Sequence, residues 1–170
     1  KDPKIRKAMR LSIDTEKVLN VAYAGLGVPA EHHHVCPIHP EYAKLPFMKQ
    51  DIEGAKALLA EAGKPDGFEA ELFANADADW EARACNAMAE MWKQAGINIK
   101  VTVLPGAQYW EMWDKPTAPF AFTQWTHRPL GVMVLGLAYR SGVPWNESKW
   151  SNPQFDELLS KAEGILDVDK

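Results

Sequence analysis

With 170 residues, 46% of them hydrophobic and 25% charged, the chain is long enough for one domain with a sizeable core and has the balance of a globular protein. A net charge of −4 leaves nothing to neutralise a run of phosphates, so nucleic acid is not an expected partner. No apolar run reaches the roughly 20 residues needed to span a bilayer.

The chain opens at Lys1-Asp2-Pro3 and stops at Val168-Asp169-Lys170, close to helical patterns at both ends. Both ends read as cut points, so a fragment of a longer protein is expected, with any export signal out of view. Residues 3–24 read as two short helices broken at Ile13-Asp14-Thr15, with Asp14 as an N-cap. Residues 25–50 are rich in Pro, Gly and His and lack a period, which predicts a long irregular connection that is either functional or tightly docked. Asp51 then caps a helix whose Ile52, Ala55, Leu59 and Ala62 share a face, ended by Gly63 and Pro65.

A βαβ unit follows. Residues 68–74 predict a strand, and 79–95 a helix with Trp80, Ala84, Met88, Met91 and Ala95 on one stripe, closed by Gly96. Ile97, Ile99, Val101 and Val103 alternate with polar residues, the period of a half-buried strand. Strand, helix, strand implies parallel neighbours joined by a right-handed crossover. A short helix at 107–113, a third strand at 120–125 and an apolar helix at 130–139 come next. After a loop at 141–151, Ser151-Asn152-Pro153 starts a last helix with Phe155, Leu158, Leu159 and Ala162 as its buried face.

The common catalytic patterns are missing. No glycine-rich loop precedes Lys-Ser/Thr, and Gly25-Leu26-Gly27 lacks the third glycine and the strand–helix context of a dinucleotide site. No Ser sits in a nucleophile elbow, and no zincin helix is present. The acids Asp77, Asp79 and Glu81 gather at a helix start, where they favour the macrodipole. Two cysteines make no disulfide framework in a chain of this length. Cys36 and Cys85 read as unpaired thiols, with a single bridge as the alternative in an oxidising compartment.

Three features carry candidate chemistry. The run from His32 to His39, with Cys36 inside it, offers imidazole and thiolate ligands, but its spacing matches no standard zinc pattern. It reads as a polar loop with incidental metal affinity, a metal site being the alternative. Among the seven tryptophans, Trp80, Trp92, Trp110 and Trp113 read as packing, whereas Trp125, Trp145 and Trp150 fall at a strand end and in loops, where aromatic rings form walls of small-solute sites. For Trp125 both site and core readings stand. Last, Gln124–Gly131 follows the third strand, and ligands of open α/β sheets bind beyond the carboxyl ends of strands. There Trp125, Thr126, His127 and Arg128 are the candidate ligand-binding residues. Arg128 supplies a fork of donors suited to a carboxylate and His127 a group that titrates near neutrality. A surface ion pair for Arg128 and a satisfied loop role for His127 remain open.

Several stretches together resemble one family. Asp2-Pro3-Lys4-Ile5-Arg6-Lys7-Ala8-Met9 with Ser12-Ile13-Asp14 is similar to the "D-x-x-x-R-x-A-x-x-x-A-I-D" opening of the second lobe of family 5 solute-binding proteins, the peptide, opine and nickel receptors of ABC importers. Ala55–Gly63 resembles the family's "A-K-x-L-L-x-E-A-G" helix, Gly96-Ile97-Asn98-Ile99 its "G-I-x-V" strand entry and Ser151–Asp156 its "S-N-P-x-F-D" helix start. The resemblance implies an α/β fold, one lobe of a type II periplasmic-binding-protein-like architecture with a mixed sheet flanked by helices, and residues 1–170 as a single C-terminal-lobe domain. It implies a monomeric, extracytoplasmic receptor, not an enzyme and without a cofactor, that closes around a small solute or oligopeptide and presents it to an ABC permease. A peptide receptor of this family carries Trp-x-x-Asp after the third strand, where the Asp pairs with the peptide's amino terminus. Trp125 matches, but Arg128 stands at the acid's position. A cation cannot hold an ammonium group, so the expected solute presents an anionic group here. The alternative within the family is a nickel-type metal or metal-chelate receptor, which requires the His32–His39 loop to face the cleft. An enzyme with an unusual site is the third class.

Overall fold

The computed structural model describes residues 2–115, 120–165 and 167. They form two compact units. One comprises residues up to 32, 47–109 and 120–124; the other comprises 33–46, 110–115 and the residues from 125 onward.

The first unit contains α1 (Pro3–Leu11), α2 (Thr15–Tyr23), α3 (Ile52–Glu61), β1 (Phe68–Asn75), α4 (Asp79–Gln94), β2 (Ile97–Leu104) and the start of α5 (Gly106–Met112). Its helices begin where the sequence predicts. Asp2, Asp14 and Asp51 each accept a backbone N–H from the first turn, from Lys4, Lys17 and Gly54 at 2.7, 3.1 and 2.8 Å. β1 and β2 run parallel, in register from Phe68 opposite Ile97 to Asn75 opposite Leu104. Both strand entries need glycine. Gly67 and Gly96 have φ of +80° and +86°, and a Cβ on Gly67 would lie 1.9 Å from the Gly96 carbonyl oxygen.

Leu59, Leu72, Ala74, Cys85, Met91, Trp92 and Ile97 form the core of this unit with Ala8, Ile13, Ala55 and Ala95. The predicted faces of α3 and α4 are the ones buried. Trp92 is 6% exposed and donates its indole N–H to the Met9 carbonyl at 2.9 Å. Cys85 is fully buried, and burial, then the negative charge of Glu81, pushes its thiol up to about 12. β2 does not alternate to its end: Val103 is 43% exposed.

The expected third strand at 120–125 is reduced to a single parallel bridge between Phe73 and Ala121. Phe73 N–H donates to the Phe120 carbonyl at 3.1 Å, and Phe122 N–H to the Phe73 carbonyl at 2.9 Å. Beyond that point a side chain takes the backbone. The Tyr109 hydroxyl donates to the Phe122 carbonyl at 2.7 Å and lies 2.8 Å from the Thr123 hydroxyl, which occupies groups a ladder would have used. The described sheet is therefore small and parallel, within an α/β fold.

The second unit holds α6 (Gly131–Ala138) and α7 (Pro153–Glu163). Asn152 caps α7 by accepting the N–H groups of Gln154 and Phe155 at 3.0 and 3.2 Å, with Pro153 in the first turn. The buried apolar residues here are Val134, Ala138 and Leu159. Two expectations fail. Leu158 is 56% exposed and Ala162 is also exposed, so the α7 face is narrower than its pattern. Trp110 is 45% exposed, packs edge-on against Trp113, and is not core. Polar groups do much of the work instead. Asn146, 1% exposed, directs its side-chain N–H groups at the carbonyls of Tyr139, Arg140 and Trp150 at 3.3, 3.2 and 2.7 Å. Asp156 accepts the Ser141 N–H at 3.0 Å, and Arg140 reaches both carboxylate oxygens of Glu163 at 2.6 Å.

Candidate functional site

All four candidate ligand-binding residues lie in the second unit, on the extended segment that leads into α6. Trp125 is half-buried. Its ring meets Trp145 edge-on at 6.1 Å and His34 at 6.2 Å, and its indole N–H points at a Glu147 carboxylate oxygen at 3.4 Å. It is thus fixed from the side while part of its surface stays open. Asn146 organises that arrangement, because the turn it ties down carries Trp145 and Glu147 on either side of it.

His34 lies 2.9 Å from the Tyr139 hydroxyl. Burial, with a smaller contribution from the charge of His33, holds the His34 imidazole below its ordinary value, so it sits neutral in this polar–aromatic corner. Burial pushes the Tyr139 phenol up, and the Glu147 charge adds to the effect. Tyr139 is therefore a neutral hydroxyl, able to donate or to accept.

Thr126 and His127 are exposed. The Arg128 side chain folds back on its own segment. One guanidinium nitrogen donates to the Thr126 hydroxyl at 2.7 Å and to the carbonyls of Thr126 and His127 at 3.3 and 3.2 Å. Among the described residues Arg128 makes no ion pair, so its charge is uncompensated by any carboxylate within reach. The structure brings Trp125, Thr126, His127 and Arg128 onto one short stretch of chain with a cation and an aromatic wall.

The His-rich loop enters this site in a way its spacing does not suggest. Residues Cys36–His39 form a tight turn, with the His39 N–H on the Cys36 carbonyl at 2.9 Å and Pro37 at the second position. The His39 ring is 6% exposed and stacks on His127 with centroids 5.7 Å apart. Its Nε2 meets the Arg128 carbonyl at 3.0 Å. Two residues further on, Glu41 accepts the Gly131 N–H at 3.0 Å, serving an α6 start that lacks a cap from its own segment. Burial pushes the Glu41 carboxyl up. The backbone N–H groups of Gly131, Glu41 and Val132 and the charge of His39 outweigh this and hold it below the usual carboxylate range.

Among the described residues no group of three or more His, Cys, Asp or Glu side chains is placed to hold a metal ion. Cys36 Sγ lies 3.4 Å from His39 Nδ1, the residue types of an activated thiol. That nitrogen already accepts the Cys36 backbone N–H at 2.9 Å, so its lone pair is taken. Both cysteines are free thiols.

Sequence reasoning marked Trp125 to Arg128 and, separately, the His32–His39 run as a polar loop or metal candidate; it missed that His34 and His39 brace the Trp125–Arg128 segment, and it missed Glu41, Tyr139 and Glu147 altogether. The readable trace was the Cys-Pro-x-His order, a turn with Pro at its second position, which places the histidine ring back over its own backbone.

The ABC transporter substrate-binding protein CtaP of Listeria monocytogenes superposes with a TM-score of 0.86 at 19% identity, over 98% of this chain and 35% of that one. The family model of bacterial extracellular solute-binding proteins, family 5, matches residues 1–162, and the chain belongs to that family. It is 24% identical over 180 residues to the glutathione-binding protein GsiB of Pectobacterium atrosepticum, covering 95% of this chain and 33% of the relative. It is 25% identical over 178 residues to the heme-binding protein A of Haemophilus influenzae, covering 98% and 32%. The chain thus spans about a third of the length of the curated relatives it matches. Among the described residues no helix is long and apolar enough to cross a membrane.

Proposed function

We propose that this chain is a lobe, the C-terminal one, of an extracytoplasmic receptor that captures a small solute and delivers it to an ABC permease. It acts as a binding module and not as a catalyst. The observation that supports this reading is the family match over residues 1–162. Specificity in this lobe falls to Trp125, Thr126, His127 and Arg128. Trp125 offers a braced aromatic face for stacking. Arg128 offers a guanidinium with donors to spare and no carboxylate partner among the described residues, which suits an anionic group on the solute. A peptide-like anion is the first candidate, and glutathione, which the GsiB relatives are named for binding, is its natural probe.

The test is calorimetry on the full-length protein with glutathione, a neutral tripeptide and a cationic tripeptide. The anion binds tightest, and Arg128→Ala weakens it by about tenfold or more, the loss of a charge-assisted hydrogen bond. Equal affinity in parent and variant, or preference for the cation, would overturn the assignment of Arg128. Native mass spectrometry of the full-length protein with its endogenous solute names the ligand directly.

A further inference from the structure

We propose that the loop from Val35 to Glu41 is a two-point strap that positions the Trp125–Arg128 segment, and that one of its points, His39, holds only while its imidazole is neutral. The inference rests on reading that segment as ligand-binding.

The hydrogen bonds fix the state of the ring without further assumption. The Cys36 backbone N–H can only donate, so the His39 Nδ1 it meets at 2.9 Å must be the bare, accepting nitrogen. The Arg128 carbonyl can only accept, so the Nε2 facing it at 3.0 Å must carry the hydrogen. One neutral tautomer satisfies both bonds. A second proton would set an N–H on Nδ1 against the Cys36 N–H and break the turn that aims the ring at Arg128.

The titratable groups that face the His39 ring are Glu41 on its own loop and the stacked His127 on the opposing segment, and the Cys36 sulfur lies 3.4 Å from Nδ1.

The second point behaves differently. Glu41 is held in its carboxylate form by the amides it accepts, so its grip on the Gly131 N–H persists where histidines gain a proton. Packing reinforces it. A Cβ on Gly131 would come within 2.9 and 3.0 Å of the Val35 methyl groups, so the strap lies directly on the α6 start. Arg128-Pro129-Leu130-Gly131 is therefore pinned at its far end by the Glu41 carboxylate and at its near end by the His39 Nε2–H, whose aim depends on the Cys36 bond at Nδ1 that a second proton would break. Loss of the near bond frees the backbone that carries Arg128 and leaves α6 in place.

Two substitutions separate the two bonds of the ring. Asn in His39→Asn places its oxygen where Nδ1 was and can take the Cys36 N–H, but it does not reach Arg128. Gln in His39→Gln extends its amide N–H to the Arg128 carbonyl and does not titrate. Hydrogen exchange by mass spectrometry on the full-length protein, read on peptides covering 126–132, is the measurement. In His39→Asn, exchange there rises about tenfold over the parent; in His39→Gln it stays within about twofold. Lowering the pH from about 8 to about 5, corrected for intrinsic rates, raises exchange about tenfold in the parent and not in His39→Gln. Unchanged exchange in His39→Asn, or the same pH response in His39→Gln as in the parent, overturns the strap. Glutathione affinity is measured on the same proteins. If exchange rises in His39→Asn while glutathione affinity stays at the parent value, the strap stands and the reading of Trp125–Arg128 as the ligand segment falls.

Discussion

The two compact units are held together by different means. The first has a parallel ladder, three side-chain-capped helices and a continuous apolar core in which Leu59, Leu72 and Ile97 are almost fully buried. The second buries only Val134, Ala138 and Leu159 among its larger described apolar positions and relies on side chains that bond to backbone: His39, Glu41, Asn146, Asn152 and Asp156. Apolar burial is non-directional and tolerates motion, whereas a buried amide bonded to three carbonyls fixes a conformation and is costly to break. A scaffold suits the first means. A loop site that must present particular atoms to a solute suits the second.

Core truncation is the most direct way to break this contrast. Leu72→Ala should cost about 2–5 kcal/mol in urea unfolding, because the site is enclosed on all sides. Leu159→Ala should cost about 2 kcal/mol, the low end of that range, since only Val134 and Ala138 are buried apolar companions in its unit among the described residues. Equal costs would show that the second unit has a core as tight as the first. Asn146→Ala comes next, at about 1–3 kcal/mol, from leaving buried carbonyls without a donor. It should also red-shift tryptophan emission, since Trp145 and Trp150 flank the turn; an unmoved spectrum would dissociate Asn146 from the aromatic wall.

The helix caps sharpen the comparison at smaller scale. Asp51→Ala and Asn152→Ala should each cost about 1 kcal/mol, measured by denaturant midpoint, and similar values would show that capping is independent of the surrounding core. The smallest effect is that of His34. Its folded imidazole lies below the ordinary value of 6.5, so its contribution is complete above that pH. It is lost as the pH falls towards the lowered folded value, because the unfolded chain takes up the proton first. Comparing the pH dependence of stability in parent and His34→Gln tests this. A steeper loss below pH 6.5 in the variant would contradict the sign.

The same contrast explains what could be read from the sequence. The first unit was legible because its signals are periodic. The stripe on α4, the alternation in β2 and the aspartate caps each repeat a simple geometry, and the structure follows them to within a residue or two. Where a long-range polar contact intervenes, the pattern misleads. The Tyr109 hydroxyl ends the third strand, and nothing near Phe122 in the sequence announces it. The site was half legible. Aromatic and charged residues after a strand mark a loop worth attention, but the partners that brace them come from residues 34–41 and 139–147, and side-chain-to-backbone bonds across such separations leave no period to read.

Cys85 bears on how the protein can be studied. A fully enclosed thiol that keeps its proton up to about 12 presents no thiolate to a maleimide or a disulfide reagent in neutral buffer. Cys36 is partly exposed. The native chain should therefore titrate as though it held a single cysteine and reveal the other only in denaturant. A fluorophore or spin label would attach without mutagenesis within three residues of His39. Solute capture could then be followed by an optical or paramagnetic signal from the strap itself.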